Sequence, residues 1–142
     1  MGINELKIGT LLLNYLDEQQ YNEDNVEIER IYHYYDSPIT YSSRDIETGQ
    51  LYFNNLVDHI DGRDLHMIVP ITEDLLQQLN ESKLSINELY RQVGDQVIYY
   101  AVSGLNFIQY YQSQRDSLGV PDEYYNSSED CFITDEDDFT LY

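Results

Sequence analysis

The stretch that decides the fold runs from residue 29 to 92: ERIYHYYDSPITYSSRD (29–45), IETGQLYFNNLVDHIDGRDLHMIVPI (46–71) and TEDLLQQLNESKLSINELYRQ (72–92). Runs rich in Tyr, Ile, Val and Leu are separated there by Asp, Gly, Ser and Pro, which is typical of strands joined by tight turns. The last part carries two helix-start signals. The stretch therefore predicts a small antiparallel meander that continues into two short helices.

The strands of this meander are predicted from alternation and from the turn residues that bound them. Gly49 suits a turn position with positive φ, and Asp61-Gly62 is a tight-turn dipeptide. Asp36-Ser37-Pro38 predicts another turn, and Pro70 is expected to end the sheet because proline cannot donate to a strand ladder. The four predicted strands are Val26 to Tyr34, Pro38 to Arg44, Gln50 to Asp58 and Asp64 to Val69.

Both helices are predicted from their first turns. Thr72 is a candidate N-cap, and Leu75, Leu76 and Leu79 form an apolar stripe behind it. Ser85-Ile86-Asn87-Glu88 has the form of a capping box, which starts a second short helix that ends near residue 92.

The flanking segments give weaker signals. The apolar residues of segment 3–16 fit both the helical period of 3.6 residues and the strand period of two, so this segment could be a helix or a strand. Residues 21–25 are polar and predict a turn. Residues 96–102 predict a buried strand, whereas residues 104–111 fit a strand or a helix.

We expect an α+β fold with a mainly antiparallel four- to six-stranded sheet and two short helices on one face. Residues 1–115 form this single domain, and residues 116–142 form an acidic, tyrosine-containing C-terminal segment, docked or partly disordered.

The order of turns and strands resembles a family of small uncharacterised bacterial proteins. The matching residues are Tyr34-Tyr35-Asp36-Ser37-Pro38, Gly49-Gln50-Leu51-Tyr52, Val57-Asp58 and Ile68-Val69-Pro70-Ile71, within a match over about residues 6–92. The family usually has Gly where this chain has Ser37, and the acidic C-terminal third lies outside the pattern. The resemblance implies a fold and a bacterial or phage origin, and it brings no activity and no site residues.

Charge is the outlying property of the composition. Twenty-seven acids and seven bases give a formal net charge of −20. Such a field repels nucleic acid and anionic membranes and attracts basic surfaces. A solubility device or a salt-rich habitat would also explain it. The single cysteine, Cys131, suits a reducing compartment, and the N-terminus has no basic, apolar leader, so a bacterial cytoplasm is expected.

Catalytic and metal-binding constellations are not evident. His33, His59 and His66 lack close ligand spacing, and Asp58–Asp64 resembles a calcium loop without its bidentate Glu. Cys131 lies among acids, which disfavours a reactive thiolate. We therefore predict no enzyme activity, no metal and no cofactor.

Fifteen tyrosines and no tryptophan are the remaining feature. Tyrosine is enriched in binding interfaces, although it can also replace Phe and Trp at the rim of a core. Because neighbours alternate in a strand, one member of each adjacent pair should face away from the core. The predicted binding residues combine Tyr with acids and are Tyr124, Tyr125, Glu129, Asp130, Asp135, Glu136, Asp137 and Asp138.

The sequence hypothesis is a non-catalytic acidic interaction protein that binds and inhibits a basic partner, such as a nuclease, a toxin or a defence complex. It would act as an immunity-type or phage anti-defence protein, with DNA mimicry as one form, and as a monomer or small homo-oligomer. The alternative is a small-ligand or nucleotide-binding domain with an anion pocket, for which Arg30, Arg44, Arg63 and Arg91 are the candidate residues. A structural subunit of a larger assembly is the third hypothesis.

Overall fold

The computed structural model describes residues 5–8, 11–15, 21, 23–34, 38–60, 62–104, 108–114 and 119–124. They form one antiparallel sheet of eight strands and two α-helices. Short 3₁₀ turns precede the third strand and follow the last one, at Glu23–Asn25 and Asp122–Tyr124. The strands and helices are β1 (Glu5–Ile8), β2 (Leu11–Tyr15), β3 (Val26–Tyr34), β4 (Pro38–Asp45), β5 (Leu51–Ile60), β6 (Arg63–Ile71), α1 (Glu73–Asn80), α2 (Ile86–Val93), β7 (Tyr99–Ser103) and β8 (Ile108–Ser113).

The strand order is β1-β2-β8-β7-β6-β5-β4-β3, with every neighbouring pair antiparallel. Strands β3 to β8 therefore form a meander, interrupted by the helices between β6 and β7, and the β1–β2 hairpin joins its β8 side. The α+β class and the antiparallel pairing are confirmed. The predicted strand number, four to six, is too low, because residues 3–16 supply two strands and residues 104–111 supply part of another.

The predicted turn chemistry is present between β4 and β5. The Asp45 carboxylate oxygen Oδ1 accepts hydrogen bonds from the backbone N–H groups of Glu47 and Thr48, at 2.9 and 3.0 Å. Gly49 follows with φ +79°, a conformation that side chains disfavour. Gly62 has φ +77° between β5 and β6, whereas Asp36, Ser37 and Asp61 lie outside the described residues.

The prediction that Pro70 ends the sheet is wrong. Strand β6 continues to Ile71, and Pro70 is paired with Tyr52 of β5. The register with β7 on the other side ends at Ile68. A proline is tolerated there because it lies beyond the part of β6 that pairs on both sides.

Both helices begin as predicted. Thr72 Oγ1 accepts from the backbone N–H of Leu75 at 3.2 Å, and the two reciprocal bonds of the Ser85–Glu88 capping box are each 3.1 Å. The second helix ends at Val93, one residue beyond the predicted end. Neither described helix is both long enough and apolar enough to cross a membrane.

The helices cover one face of the sheet, which we call the helix face. Its core joins alternate residues of the central strands to the apolar stripes of α1 and α2. The fully buried side chains that form it include Phe53, Leu65, Met67, Leu79, Leu89, Tyr90 and Tyr100.

Strand β7 starts at Tyr99, later than the predicted start at residue 96. Ile98 is fully buried in the same core, but its backbone N–H donates to the Ser113 hydroxyl at 3.2 Å. The Ser113 hydroxyl thus takes the place of the backbone carbonyl that would accept this N–H in a regular strand pair. Regular pairing begins one residue later, at Tyr99.

Polar groups on the helix face form side-chain hydrogen bonds with one another. Thr40 donates to Asn55 at 2.7 Å, and the Asn55 amide donates to the Tyr90 hydroxyl at 2.8 Å. Tyr32 donates to Asn80 of α1 at 2.6 Å. The buried hydroxyl of Tyr100, in contrast, has no hydrogen-bond partner among the described residues.

This difference predicts opposite effects of the same substitution at two buried tyrosines. Tyr90→Phe leaves the Asn55 amide without its acceptor and should lower the free energy of unfolding by about 1–3 kcal/mol. Tyr100→Phe removes an unsatisfied hydroxyl and should raise it by about 1 kcal/mol. Urea unfolding followed by circular dichroism measures both, and equal destabilisation by the two variants would contradict the assignment of Tyr100.

Candidate functional site

The other face of the sheet, which we call the tyrosine face, receives the alternate members of the tyrosine pairs. Tyr100 and Tyr111 lie in the helix-face core, whereas Tyr99 and Tyr110 pack in a second cluster on the opposite side. The predicted alternation is present in these two pairs, whereas Tyr35 and Tyr125 of the other pairs lie outside the described residues. The members that turn away from the helices are half-buried against other aromatic rings, however, and do not stand free in solvent.

Tyr21 is the centre of this second cluster. Only 6% of its surface is exposed, and its ring centroid lies 5.2 Å from that of Tyr52, 5.4 Å from Tyr99 and 5.2 Å from Tyr110. The Tyr52 contact is edge-to-face and the other two are tilted, which are the favourable arrangements of aromatic pairs. Tyr21 thus ties together β5, β7 and β8.

The position of Tyr21 follows from the strand order. Strands β2 and β3 are consecutive in the chain, but β8, β7, β6, β5 and β4 lie between them in the sheet. In a flat sheet they would be about 29 Å apart. The chain must cross the sheet between Tyr15 and Val26, and Tyr21 is the described residue that anchors this crossing to the tyrosine face.

A pocket of about 180 Å³ lies beside Tyr21. Its walls come from β3, β4, β5 and β8, although β3 and β8 are five strand positions apart. Sheet twist and the ring of Tyr21 bring these walls together. The lining residues that matter chemically are Tyr21, Glu23, Tyr41, Ser43, Asn54 and Tyr110, beside two aliphatic residues of β3.

Hydrogen bonds in the wall fix which groups can still accept or donate. The Tyr110 hydroxyl donates its proton to Glu23 Oε2 at 2.7 Å. Asn54 uses its amide on Ser43 Oγ at 2.9 Å and on the Tyr41 carbonyl at 3.3 Å. Since a tyrosine has one O–H and an asparagine amide two N–H donors, the oxygen atoms of Tyr110 and Asn54 remain as acceptors. The Glu23 carboxylate adds a negative charge.

Burial keeps the tyrosines of this wall neutral. Desolvation, together with nearby Tyr41, Tyr52, Glu23 and Asp45, raises the pKa of Tyr21 well above its usual value. Desolvation and then the hydrogen bond to Glu23 do the same for the pKa of Tyr110, and desolvation raises the pKa of Tyr41 to about 12. The phenols therefore carry no charge near neutral pH.

The structure describes one of the eight predicted binding residues. Tyr124 is 3% exposed and packs in the helix-face core, with its hydroxyl 3.4 Å from Asp58 Oδ2. The ring of Tyr124 is therefore buried, and a role of this residue in binding stays a prediction. The other seven lie outside the described residues and stay predictions: Tyr125, Glu129, Asp130, Asp135, Glu136, Asp137 and Asp138.

The histidines do not converge. His33 contacts the Thr40 hydroxyl at 3.1 Å, and the exposed His59 pairs with Asp64 at 2.7 Å beside the β5–β6 turn. His66 lies near the Tyr41 ring, 6.2 Å between centroids. Within the described ranges no three potential metal ligands cluster.

The arginines proposed for an anion pocket do not line the pocket, and two of them are engaged elsewhere. Arg44 lies 2.9 Å from Glu29 and 3.1 Å from Glu73, and Arg30 stacks on the Tyr32 ring at 5.2 Å. Neither they nor Arg63 and Arg91 belong to the described lining of the pocket, which has Glu23 instead. No observation on the described residues favours the nucleotide-binding alternative.

Sequence reasoning missed the residues that form this pocket. Tyr21, Glu23, Tyr41 and Tyr110 are far apart in the chain, and their meeting depends on the strand order. The available local signal, a tyrosine opening a polar turn, does not indicate which strands lie beneath it.

Comparisons with protein-family models, with curated proteins and with solved structures find no match to this chain. The family resemblance therefore stays a prediction, and the geometry of the chain itself is the basis for a functional proposal.

The cluster predicts a large stability loss when its central ring is removed. Tyr21→Ala should lower the free energy of unfolding by about 3–5 kcal/mol, because a buried aromatic side chain and three ring contacts are lost. Tyr21→Phe keeps the ring and should cost far less. Chemical denaturation compares the two, and a small effect of Tyr21→Ala would show that the cluster does not hold the crossing.

The raised tyrosine pKa values predict alkaline instability. Tyrosines in the unfolded chain ionise near pH 10, whereas Tyr41 and Tyr52 ionise at about 12 in the folded state, where burial opposes the charge. Their stabilisation is complete below pH 10 and is lost as the pH rises towards 12. Each adds a slope of at most about 1.4 kcal/mol per pH unit. Urea unfolding at about pH 8, 10 and 11 measures the slope, which Tyr41→Phe should reduce.

Proposed function

We propose that the protein is a non-catalytic acidic interaction protein that binds a basic protein partner and thereby inhibits it. The partner class is a nucleic-acid enzyme, a toxin or a defence complex, whose cationic surface normally meets nucleic acid. Immunity-type neutralisation and DNA mimicry are two forms of the same proposal.

The supporting observation is the excess of exposed carboxylates over free cations. Arg44 lies between Glu29 and Glu73, and Lys83 pairs with Glu81 at 3.0 Å, so cations of the chain are partly neutralised internally. The exposed acids of the described residues are Glu23, Asp24, Glu27, Glu29, Glu47, Glu73, Asp74, Glu81, Glu88, Asp95, Asp122 and Glu123.

Electrostatics then selects the partner. A net charge of −20 disfavours contact with phosphate backbones and favours encounter with a basic surface. Such steering raises association rates and weakens as salt shortens the range of the field, which is about 8 Å at physiological ionic strength. The acids of residues 129–138 add to this field.

The test is capture from bacterial lysate at about 50 mM and about 500 mM salt, followed by an activity assay of the bound enzyme. We expect a basic nucleic-acid enzyme or toxin to be retained at low salt, released at high salt and inhibited by the protein. If nothing basic is retained at either salt, the proposal is wrong and the acidity serves solubility.

Neutralising Asp135, Glu136, Asp137 and Asp138 to Asn and Gln tests the contribution of that segment. The association rate should fall by up to about tenfold, with a weaker salt dependence. The matched control removes the same number of charges elsewhere, at Glu27, Asp74, Asp95 and Glu123. A smaller loss in the control localises the contact to the C-terminal segment, and an unchanged rate in both variants rules out charge steering.

A further inference from the structure

The pocket on the tyrosine face has a chemistry that general acidity does not explain. Three of its lining residues are tyrosines from separate parts of the chain, Tyr21, Tyr41 and Tyr110, and a carboxylate from Glu23 stands in the same wall. Aromatic rings attract cations through their quadrupole, and cages of such rings with an acid recognise ammonium groups in proteins.

Hydrogen bonding in the wall points the same way. The Tyr110 hydroxyl donates its proton to Glu23. The Asn54 amide donates to the Ser43 hydroxyl and to the Tyr41 carbonyl. The oxygen atoms of Tyr110, Asn54 and Glu23 are therefore the acceptors of the wall. An ammonium group is a donor without acceptors, and it matches these oxygens. An anionic ligand would be repelled by the Glu23 carboxylate, even though hydroxyl groups of the wall can donate hydrogen bonds to it.

The dimensions of the pocket limit its occupant. A volume of about 180 Å³ lies below the range of drug-sized sites, about 300–1,000 Å³, and corresponds to about six water molecules. The space suits one head group with a short alkyl stem. Val26 and Ile28 in the wall offer apolar contact to such a stem.

We propose that this pocket binds a single alkylammonium group, held by Tyr21, Tyr41, Tyr110 and the Glu23 carboxylate. The inference deepens the proposed function and rests on it for the source of the group, which is a lysine side chain of the basic partner. The pocket then sets where the partner docks, whereas the net charge sets how fast it arrives.

Two probes of equal size test the chemistry: n-butylammonium, which reproduces the end of a lysine side chain, and the uncharged 1-butanol. We expect n-butylammonium to shift the backbone amide resonances of Val26, Ile28, Ser43 and Asn54 saturably, with a Kd of about 0.1–10 mM. 1-Butanol should bind at least about fivefold more weakly. Equal binding of the alcohol, or no shift at these amides with either probe, overturns the proposal.

Variants assign the binding to the pocket. Glu23→Gln removes the charge and Tyr41→Leu removes one ring. Each variant should weaken the binding of n-butylammonium by about two- to fivefold. The matched controls are Glu81→Gln, an exposed acid on another element, and Tyr111→Leu, a tyrosine of the helix-face core that does not line the pocket. Circular dichroism verifies folding, and equal weakening by the controls counts against the site.

The same variants separate this inference from the proposed function. If Glu23→Gln and Tyr41→Leu also weaken capture of the basic partner more than their controls do, a partner lysine supplies the ammonium. If they weaken n-butylammonium alone, the pocket binds a free amine and the lysine source is wrong, while salt-dependent capture still supports the inhibitor. If the lysate yields no basic partner but n-butylammonium binds, the proposed function fails and the ammonium site stands.

Discussion

The contact of Tyr21 with the tyrosine face is the interaction on which the rest of the structure depends. Strands β2 and β3 follow each other in the chain but lie on opposite sides of the sheet, so one segment must cross all the strands between them. The rings of Tyr52, Tyr99 and Tyr110 give that segment a place to bury an aromatic side chain. Burial of the ring offsets the entropy of ordering Tyr21, and the same ring forms part of the pocket wall.

The two faces of the sheet are covered in different ways. On the helix face, capped helices cover a core in which Thr40, Asn55 and Tyr90 form a chain of hydrogen bonds. On the tyrosine face no helix of the described chain covers the sheet, and aromatic side chains with hydroxyl groups take that role. Tyrosine suits such a face, because its ring can be buried while its hydroxyl reaches a polar partner, as Tyr110 reaches Glu23.

Local chemistry was predictable from the sequence, and long-range pairing was not. The Gly49 turn, the Thr72 cap and the Ser85–Glu88 capping box depend on residues within a few positions, and all are present. The extent of β6 past Pro70 depended on where β7 stops pairing, which no local pattern contains. The pocket combines residues as distant as Glu23 and Tyr110, and the burial of Tyr124 depends on a return of the chain to the helix face. Such contacts are set by the order of the strands in the sheet. The alternation of apolar and polar residues along one strand does not determine that order.

Net charge and the pocket act over different distances, and the proposed binding of a basic partner depends on both. The field of a net charge of −20 attracts any basic surface, and salt limits its range to about 8 Å. Net charge therefore discriminates poorly between one cationic group and another. Inside the pocket the tyrosines are neutral near pH 7, and burial raises the pKa of Tyr21 and Tyr110 further above that pH. The charge there is therefore that of Glu23, which the hydrogen bond from Tyr110 holds beside the aromatic rings. In the proposed complex a single ammonium group is stabilised by charge, ring and acceptor together. This combination would select one lysine from a basic surface that charge alone would bind at many positions.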